Sequence, residues 1–429
     1  MSDQWYRIDN TGKIFHALSN AENSFVFRVS MILKEEVDPQ LLQEALDRIV
    51  HRFPTLAVSL RKGLFWDYLE KNNQRLIVQP EKNYPCAPID PKQSNGYLIR
   101  VLYYNKRISF EVFHSLTDGS GAMEFLKTIV YQYLLLQGKH IIHDGMIMLP
   151  QDIPGAEETE DSFIKYAYKN EKNKNKVRQK EHTAYQITGT ALETTGINII
   201  HGIMDGNALN QHAKHSGVTL TTYLTALLIK VASTEHPDSA DNLMTIALPV
   251  NLRRQFPSRT MRNFFAVANV GVKVEDDTKF EDILDEVAEK LASRTTRENL
   301  QSGINHHFEL QRGIMTRIIP IFLKYPAMRY GFNHMGERTK SMTLSNMGNV
   351  KLPKSMEAHV ERMDIALYPT SRSPISCATG TVNGRMTITF TLSISETGVV
   401  RSFFKELTRL TGLEIEVNSN EWGNSSEPL

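Results

Sequence analysis

The stretch Phe110-Glu111-Val112-Phe113-His114-Ser115-Leu116-Thr117-Asp118-Gly119 constrains the fold more than any other part of the chain. A β-type run ends in a histidine. Three residues intervene before an aspartate and a glycine, and a helical pattern then opens. With the strands and helices that recur in both halves, this stretch argues for α/β layers. His114 falls where strand meets loop, a common place for a reactive group on a rigid support.

The flanking pattern agrees. Ser24 to Leu33 alternates and is rich in Phe and Val, which predicts a strand. Asp38-Pro39 opens a helix: Asp38 can cap the free N–H groups, and Pro39 suits the first helical position, where a missing donor costs nothing. Leu42, Ala45, Leu46 and Ile49 then share one face. Ala57 to Leu60 and Phe65 to Glu70 read as a hairpin around Lys62-Gly63. Tyr97 to Tyr104 and Arg107 to Phe113 read as paired strands. After the central motif, Ala122, Phe125, Leu126, Ile129, Tyr133 and Leu134 form a helical stripe that Gly138 is placed to end.

From Met146 to about Tyr185 the character changes. An acidic cluster of Glu157, Glu158, Glu160 and Asp161 precedes a basic one from Lys169 to Lys180. The reading is an exposed, partly helical crossover. Similar units then restart. Strands are expected at Gly196 to Ile203, Met244 to Val250, Phe264 to Val274, Ser341 to Ser345, Ile365 to Tyr368, Ile375 to Val382 and Arg385 to Ile394. Helices are expected at Asn207 to Ser216, from Thr219 through Val231, at Phe280 to Leu291 and at Val399 to Leu410, the last ended by Gly412. Arg317 to Met328 is apolar, interrupted by Pro320 and Pro326, and reads as a core helix. The tail after Val417 is polar and expected to be mobile. The expected class is α/β, with three segments: an N-terminal part, residues 1–145; a charged crossover, residues 146–185; and a C-terminal part, residues 186–429.

Composition narrows the function. Lys+Arg 49 against Asp+Glu 48 leaves no overall charge excess that points to nucleic acid or an anionic membrane. Two cysteines, Cys86 and Cys377, are too few for a disulfide scaffold or a Cys-rich metal site, and fit a reducing compartment. Met1 to Lys13 lacks the apolar core of a signal peptide. The best apolar candidate, Leu224 to Ala232, is broken by Lys230, so no membrane span is expected. A cytoplasmic location follows from these points as an expectation.

A histidine near neutral pKa can accept a proton from an alcohol, thiol or amine as that group attacks a carbonyl. Asp118 has two readings. It could orient His114, or it could hold the loop through an ion pair, which suits a short loop after a strand better. Other chemistries fit poorly. Gly119-Ser120-Gly121 does not match a nucleophile elbow. His140/His143 and His306/His307 lack a matching carboxylate or thiolate set, so no metal site is expected. There is no Walker loop and no G-x-G-x-x-G.

The segment from Phe113 to Gly119 does not stand alone. Together with "DPQLLQEALDRIVHRFPTLAVSL" (38–60), "LPVNLRRQFPSRTMRNFF" (248–265) and "LSNMGNV" (344–350), it resembles the H-x-x-x-D acyltransferase superfamily. That group includes chloramphenicol acetyltransferase, plant-type BAHD enzymes, peptide-synthetase condensation domains, and alcohol acetyltransferases with the polyketide-associated Pap proteins. The resemblance runs in order along nearly the whole chain. It implies two chloramphenicol-acetyltransferase-like subdomains, each a mixed sheet with helices, arranged as a pseudo-dimer with the active site between them. It implies that His114 is the general base. Asp118 and Gly119 then shape the loop, with Arg253 as the partner of Asp118. Ser345 or Asn346 would stand beside the tetrahedral oxyanion. The donor would be an acyl-CoA or an acyl-phosphopantetheine carrier protein, the acceptor a small molecule, with no bound cofactor and no acyl-enzyme. A monomer is expected. Phe113 stands where condensation domains carry a second histidine, and the D-F-G-W-G motif of plant enzymes is absent. The expectation is therefore an acyl group, such as acetyl, moved to an alcohol. The alternatives are N-acylation or condensation-type amide formation, or a non-catalytic binding protein of the same fold.

Overall fold

The computed structural model describes residues 5–20, 23–167, 181–192, 196–312, 319–332 and 336–420. Two mixed sheets dominate. The first has five strands in the spatial order Val360–Ala366, Val26–Leu33, Arg107–Phe113, Ile99–Tyr104 and Gln79–Pro80. The second has seven: Phe265–Val272, Met244–Asn251, Met342–Asn349, Ile375–Val382, Arg385–Leu392, Asn198–Asp205 and Glu416–Ser419. Helices Pro39–Ile49 and Gly119–Leu136 pack together in the first core. Helices Leu220–Glu235, Phe280–Arg294 and Gly398–Thr411 supply the second. The result is two similar α/β subdomains side by side.

Local chemistry explains the boundaries. Asp38 accepts from the N–H groups of Gln40 and Leu41 at 2.8 and 3.0 Å and starts its helix. Thr219 Oγ1 accepts from Thr222 N–H at 3.2 Å and starts the long buried helix of the second half. Gly138 and Gly412 adopt φ of +79° and +70° after their helices, as left-handed terminators do.

Several expectations need correction. Val26–Leu33 is buried along its whole length, because helices cover one side and the second half covers the other. Helix Ile321–Gly331 is not core. Phe322, Leu323 and Tyr330 are 69, 58 and 67% exposed, and Lys324 is the buried residue. Pro326 lies inside it without ending it. The first residues of the expected Arg317 to Met328 segment lie outside the described residues. The crossover is not a free charged surface either. Phe163, in the short helix Ser162–Tyr166, is buried with Phe256 and Phe264, and Glu158 pairs with the buried Arg52 at 2.6 Å. The basic cluster from Lys169 to Lys180 lies outside the described residues. The polar end is partly ordered by pairing: Glu416–Ser419 adds to the edge of Asn198–Asp205.

Two features were not anticipated. A strand Trp5–Arg7 and a helix Asn10–Leu18 occupy the polar N-terminus. Val360–Ala366, far along the chain, pairs with Val26–Leu33 and completes the first sheet. The second half therefore donates a strand to the first sheet.

Among the described residues, no single helix is long and apolar enough to cross a membrane. Both cysteines are buried and unpaired.

Candidate active site

His114 directly follows the strand Arg107–Phe113, and its backbone N–H donates to Phe25 O at 2.8 Å. The ring is packed by three aromatic neighbours. Phe15, Phe27 and Phe265 have ring centroids 4.4, 4.7 and 5.5 Å from it. Its remaining edge faces a cavity of about 930 Å³. Burial pushes the imidazole pKa below its ordinary value. The backbone of His114, the Asp118 charge, the Asn263 side chain and the backbone of Thr117 oppose that shift only in part.

Asp118 uses its two oxygens differently. Oδ1 accepts from the N–H groups of Ser120 and Gly121 at 3.1 and 3.3 Å and caps helix Gly119–Leu136. Oδ2 accepts from Arg253 Nη1 at 2.7 Å and from Phe264 N–H at 2.9 Å. The Arg253 and Asp118 side chains are 14 and 7% exposed, so the pair is largely out of water. Arg253 also donates to Thr260 O and Arg262 O at 2.9 and 2.7 Å, which fixes the turn before Asn263.

One continuous segment of the second half thus closes on the histidine loop. Met261 O accepts from Thr117 Oγ1 at 2.5 Å. Asn263 contacts His114, the Phe264 backbone contacts Asp118, and the Phe265 ring lies against His114. The fit requires glycine at position 121, where a Cβ would strike Thr117 Oγ1 and, at 2.5 Å, the backbone Met261 O. A Cβ on Gly119 would meet the Met347 Sδ at 2.7 Å, a flexible side-chain end that can move aside. A second such glycine, Gly12, lets the N-terminal helix approach the loop, since a Cβ there would strike Ser115 O.

Ser345 and Asn346 both line the same cavity as His114. They lie on Met342–Asn349, where neighbouring side chains take opposite faces. Asn346 Nδ2 donates to Thr221 Oγ1 at 2.9 Å and its Oδ1 accepts from Gly348 N–H at 2.8 Å, so its polar atoms are already engaged. Ser345 is directed to the other side.

The sequence reading missed four residues that contact His114: Phe15, Phe27, Asn263 and Phe265. It also missed Asp9, buried behind Asn263. The segment holding Asn263 and Phe265 was singled out, but no periodicity marks which of its side chains faces the histidine. Among the described residues, no group of three or more His, Cys, Asp or Glu is placed to hold a metal ion.

No family model and no curated protein sequence matches the chain. Solved structures do. Polyketide synthase associated protein 5 from Mycobacterium tuberculosis is similar with a TM-score of 0.59 at 12% identity, over 95% of this chain and 97% of that one. The epimerization domain from the third module of tyrocidine synthetase B gives 0.59 at 12%, over 96 and 97%. The starter condensation domain of rhizomide synthetase RzmA, a double mutant in complex with C8-CoA, gives 0.58 at 12%, over 95 and 95%. The chain has the two-subdomain fold of these proteins, end to end.

Proposed function

We propose that the chain is an acyltransferase that moves an acyl group, such as acetyl, from a CoA or carrier-protein thioester to an alcohol. The observation that carries this reading is His114 itself. It is a half-buried imidazole on a rigid strand end, with lowered basicity, facing a cavity lined by both subdomains. A thioester and an acceptor can meet there away from bulk water. His114 Nε2 takes the proton of the acceptor hydroxyl as its oxygen attacks the thioester carbonyl. The tetrahedral oxyanion collapses, the C–S bond breaks, and the departing thiolate receives the proton from the imidazolium. Of the two polar residues, Ser345 is the candidate to donate to the oxyanion, because the Asn346 side chain is already bonded to Thr221 and Gly348. Asp118, Gly119 and Arg253 hold the loop and take no part in proton transfer.

The fold shared with a condensation domain solved with C8-CoA supports acyl-CoA as one donor. The condensation domain among the proteins that share the fold keeps amide formation as the alternative. A thiol-release assay tests the reading, with acetyl-CoA and longer acyl-CoAs against mixed alcohols and amines. The expected result is alcohol-dependent release that falls about 10²- to 10⁴-fold in His114→Ala, the range supplied by a positioned base. Ser345→Ala should lower turnover further than Asn346→Ala. Equal release by wild type and His114→Ala would refute the base, and release with amines alone would move the reading to N-acylation.

A further inference from the structure

We infer that Asn263 is a positioning residue that fixes the tautomer and direction of His114, and that Asp9 fixes Asn263. The inference rests on the reading of His114 as the base. Asn263 is 1% exposed and holds the histidine at two points. Its Oδ1 lies 3.1 Å from His114 Nδ1, and its Nδ2 donates to His114 O at 3.0 Å. The same Nδ2 lies 3.4 Å from Asp9 Oδ2.

These partners determine which way the amide faces. Rotated by half a turn, its carbonyl oxygen would face a carbonyl and a carboxylate with no proton between them. Leaving such buried acceptors unpaired is costly. The observed orientation therefore presents an acceptor to Nδ1, so Nδ1 carries the proton. The lone pair is then on Nε2, the atom that Asn263 does not hold. A free imidazole prefers its proton on Nε2, the arrangement that would leave Nε2 unable to act as a base. Asn263 works against that preference, beside the backbone groups of His114 and Thr117 that also favour a proton on the ring.

Asp9 is suited to the second position. It caps helix Asn10–Leu18 by accepting from Gly12 N–H at 2.6 Å, and Arg262 Nε lies 3.7 Å from its Oδ2. It is buried, and burial raises its carboxyl pKa to about 6, so it is an anion and pure acceptor at neutral pH. An anion faces only the amide's NH₂ side favourably. The N-terminal helix thus reaches the chemistry through Asp9 and Asn263, besides packing Phe15 on the ring.

The test is ¹⁵N NMR of histidine-labelled protein above the His114 titration. The chain has 14 histidines, so the His114 signals are identified by their absence from His114→Ala. The expected result for wild type is neutral His114 with the proton on Nδ1. Asn263→Leu, similar in volume, should shift the proton to Nε2 and reduce kcat by about 10- to 100-fold, as losing an orienting partner does elsewhere, with KM little changed. Asp9→Asn keeps a capping side chain but can pair with either amide orientation, so both tautomers should appear. A wild-type proton on Nε2 overturns the inference, as does Nδ1–H persisting in Asn263→Leu. Should Asn263→Leu not fold, the wild-type and Asp9→Asn spectra decide. The spectra need no substrate. An Nδ1 proton in a protein that releases no thiol would refute the acyl-transfer reading and leave the positioning intact.

Discussion

His114 sits among Phe15, Phe27 and Phe265, and charging it there means taking an imidazolium out of water. The folded pKa is therefore below the unfolded value of 6.5. The sign follows. The neutral form, the base, persists as pH falls past 6.5, so kcat/KM should be flat through neutrality and decline only at more acid pH. The same protonation opposes folding, so the group's contribution to stability is complete above 6.5 and is lost as pH drops. A pH–rate profile checks this, and an acid limb centred at or above 6.5 would contradict it. At this scale the sequence was partly informative. His114 and Asp118 were visible because a strand, a loop and a helix have recognisable residues. Asn263 and Asp9 were not, because hydrogen-bond partners 149 and 254 residues apart leave no spacing to read.

Helix Gly119–Leu136 begins at a residue with two tasks. Asp118 Oδ1 caps the helix, and Oδ2 neutralises Arg253 and takes the Phe264 N–H. Losing a cap costs about 1 kcal/mol. Stranding a buried guanidinium costs about 3–5 kcal/mol. Asp118→Asn retains an oxygen for the cap and removes the charge, so the larger figure should dominate. Urea denaturation of this variant should show a loss of about 3–5 kcal/mol, and a loss near 1 kcal/mol would mean that the cap is the main task. Caps and stripes made most such helices legible. Pro39, Thr219 and Gly412 mark boundaries by covalent geometry and hydrogen bonding, which act locally. Helix Ile321–Gly331 misled because its Phe322 and Leu323 are apolar yet exposed, and apolar content does not dictate burial. The N-terminal helix escaped notice because Gly12, a poor helix former, is there to admit the backbone of Ser115.

The first half is incomplete without the second, which ties the two into one folding unit. The expected division at residues 146–185 assigns Val360–Ala366 to the second half, yet that strand pairs with Val26–Leu33 of the first. With it come Leu352, Met356, Val360, Met363 and Ile365, all buried in the first core. Each such side chain contributes about 1.5–3 kcal/mol when fully buried. Five together contribute about 7–15 kcal/mol, as much as the whole net stability of a typical domain, about 5–15 kcal/mol. Residues 1–185 expressed alone would also expose the edge of Val26–Leu33, a template for aggregation. The expected outcome is that this fragment is insoluble or unfolded alone and becomes soluble when co-expressed with residues 186–429. Calorimetry of the intact chain should show one main transition. A soluble fragment 1–185 with native-like circular dichroism would show that the donated strand is dispensable. Activity should need both pieces in any case. His114 stands on the first, while Arg253, Asn263 and Ser345 stand on the second. The cavity where acceptor and thioester would meet exists only where the two are joined.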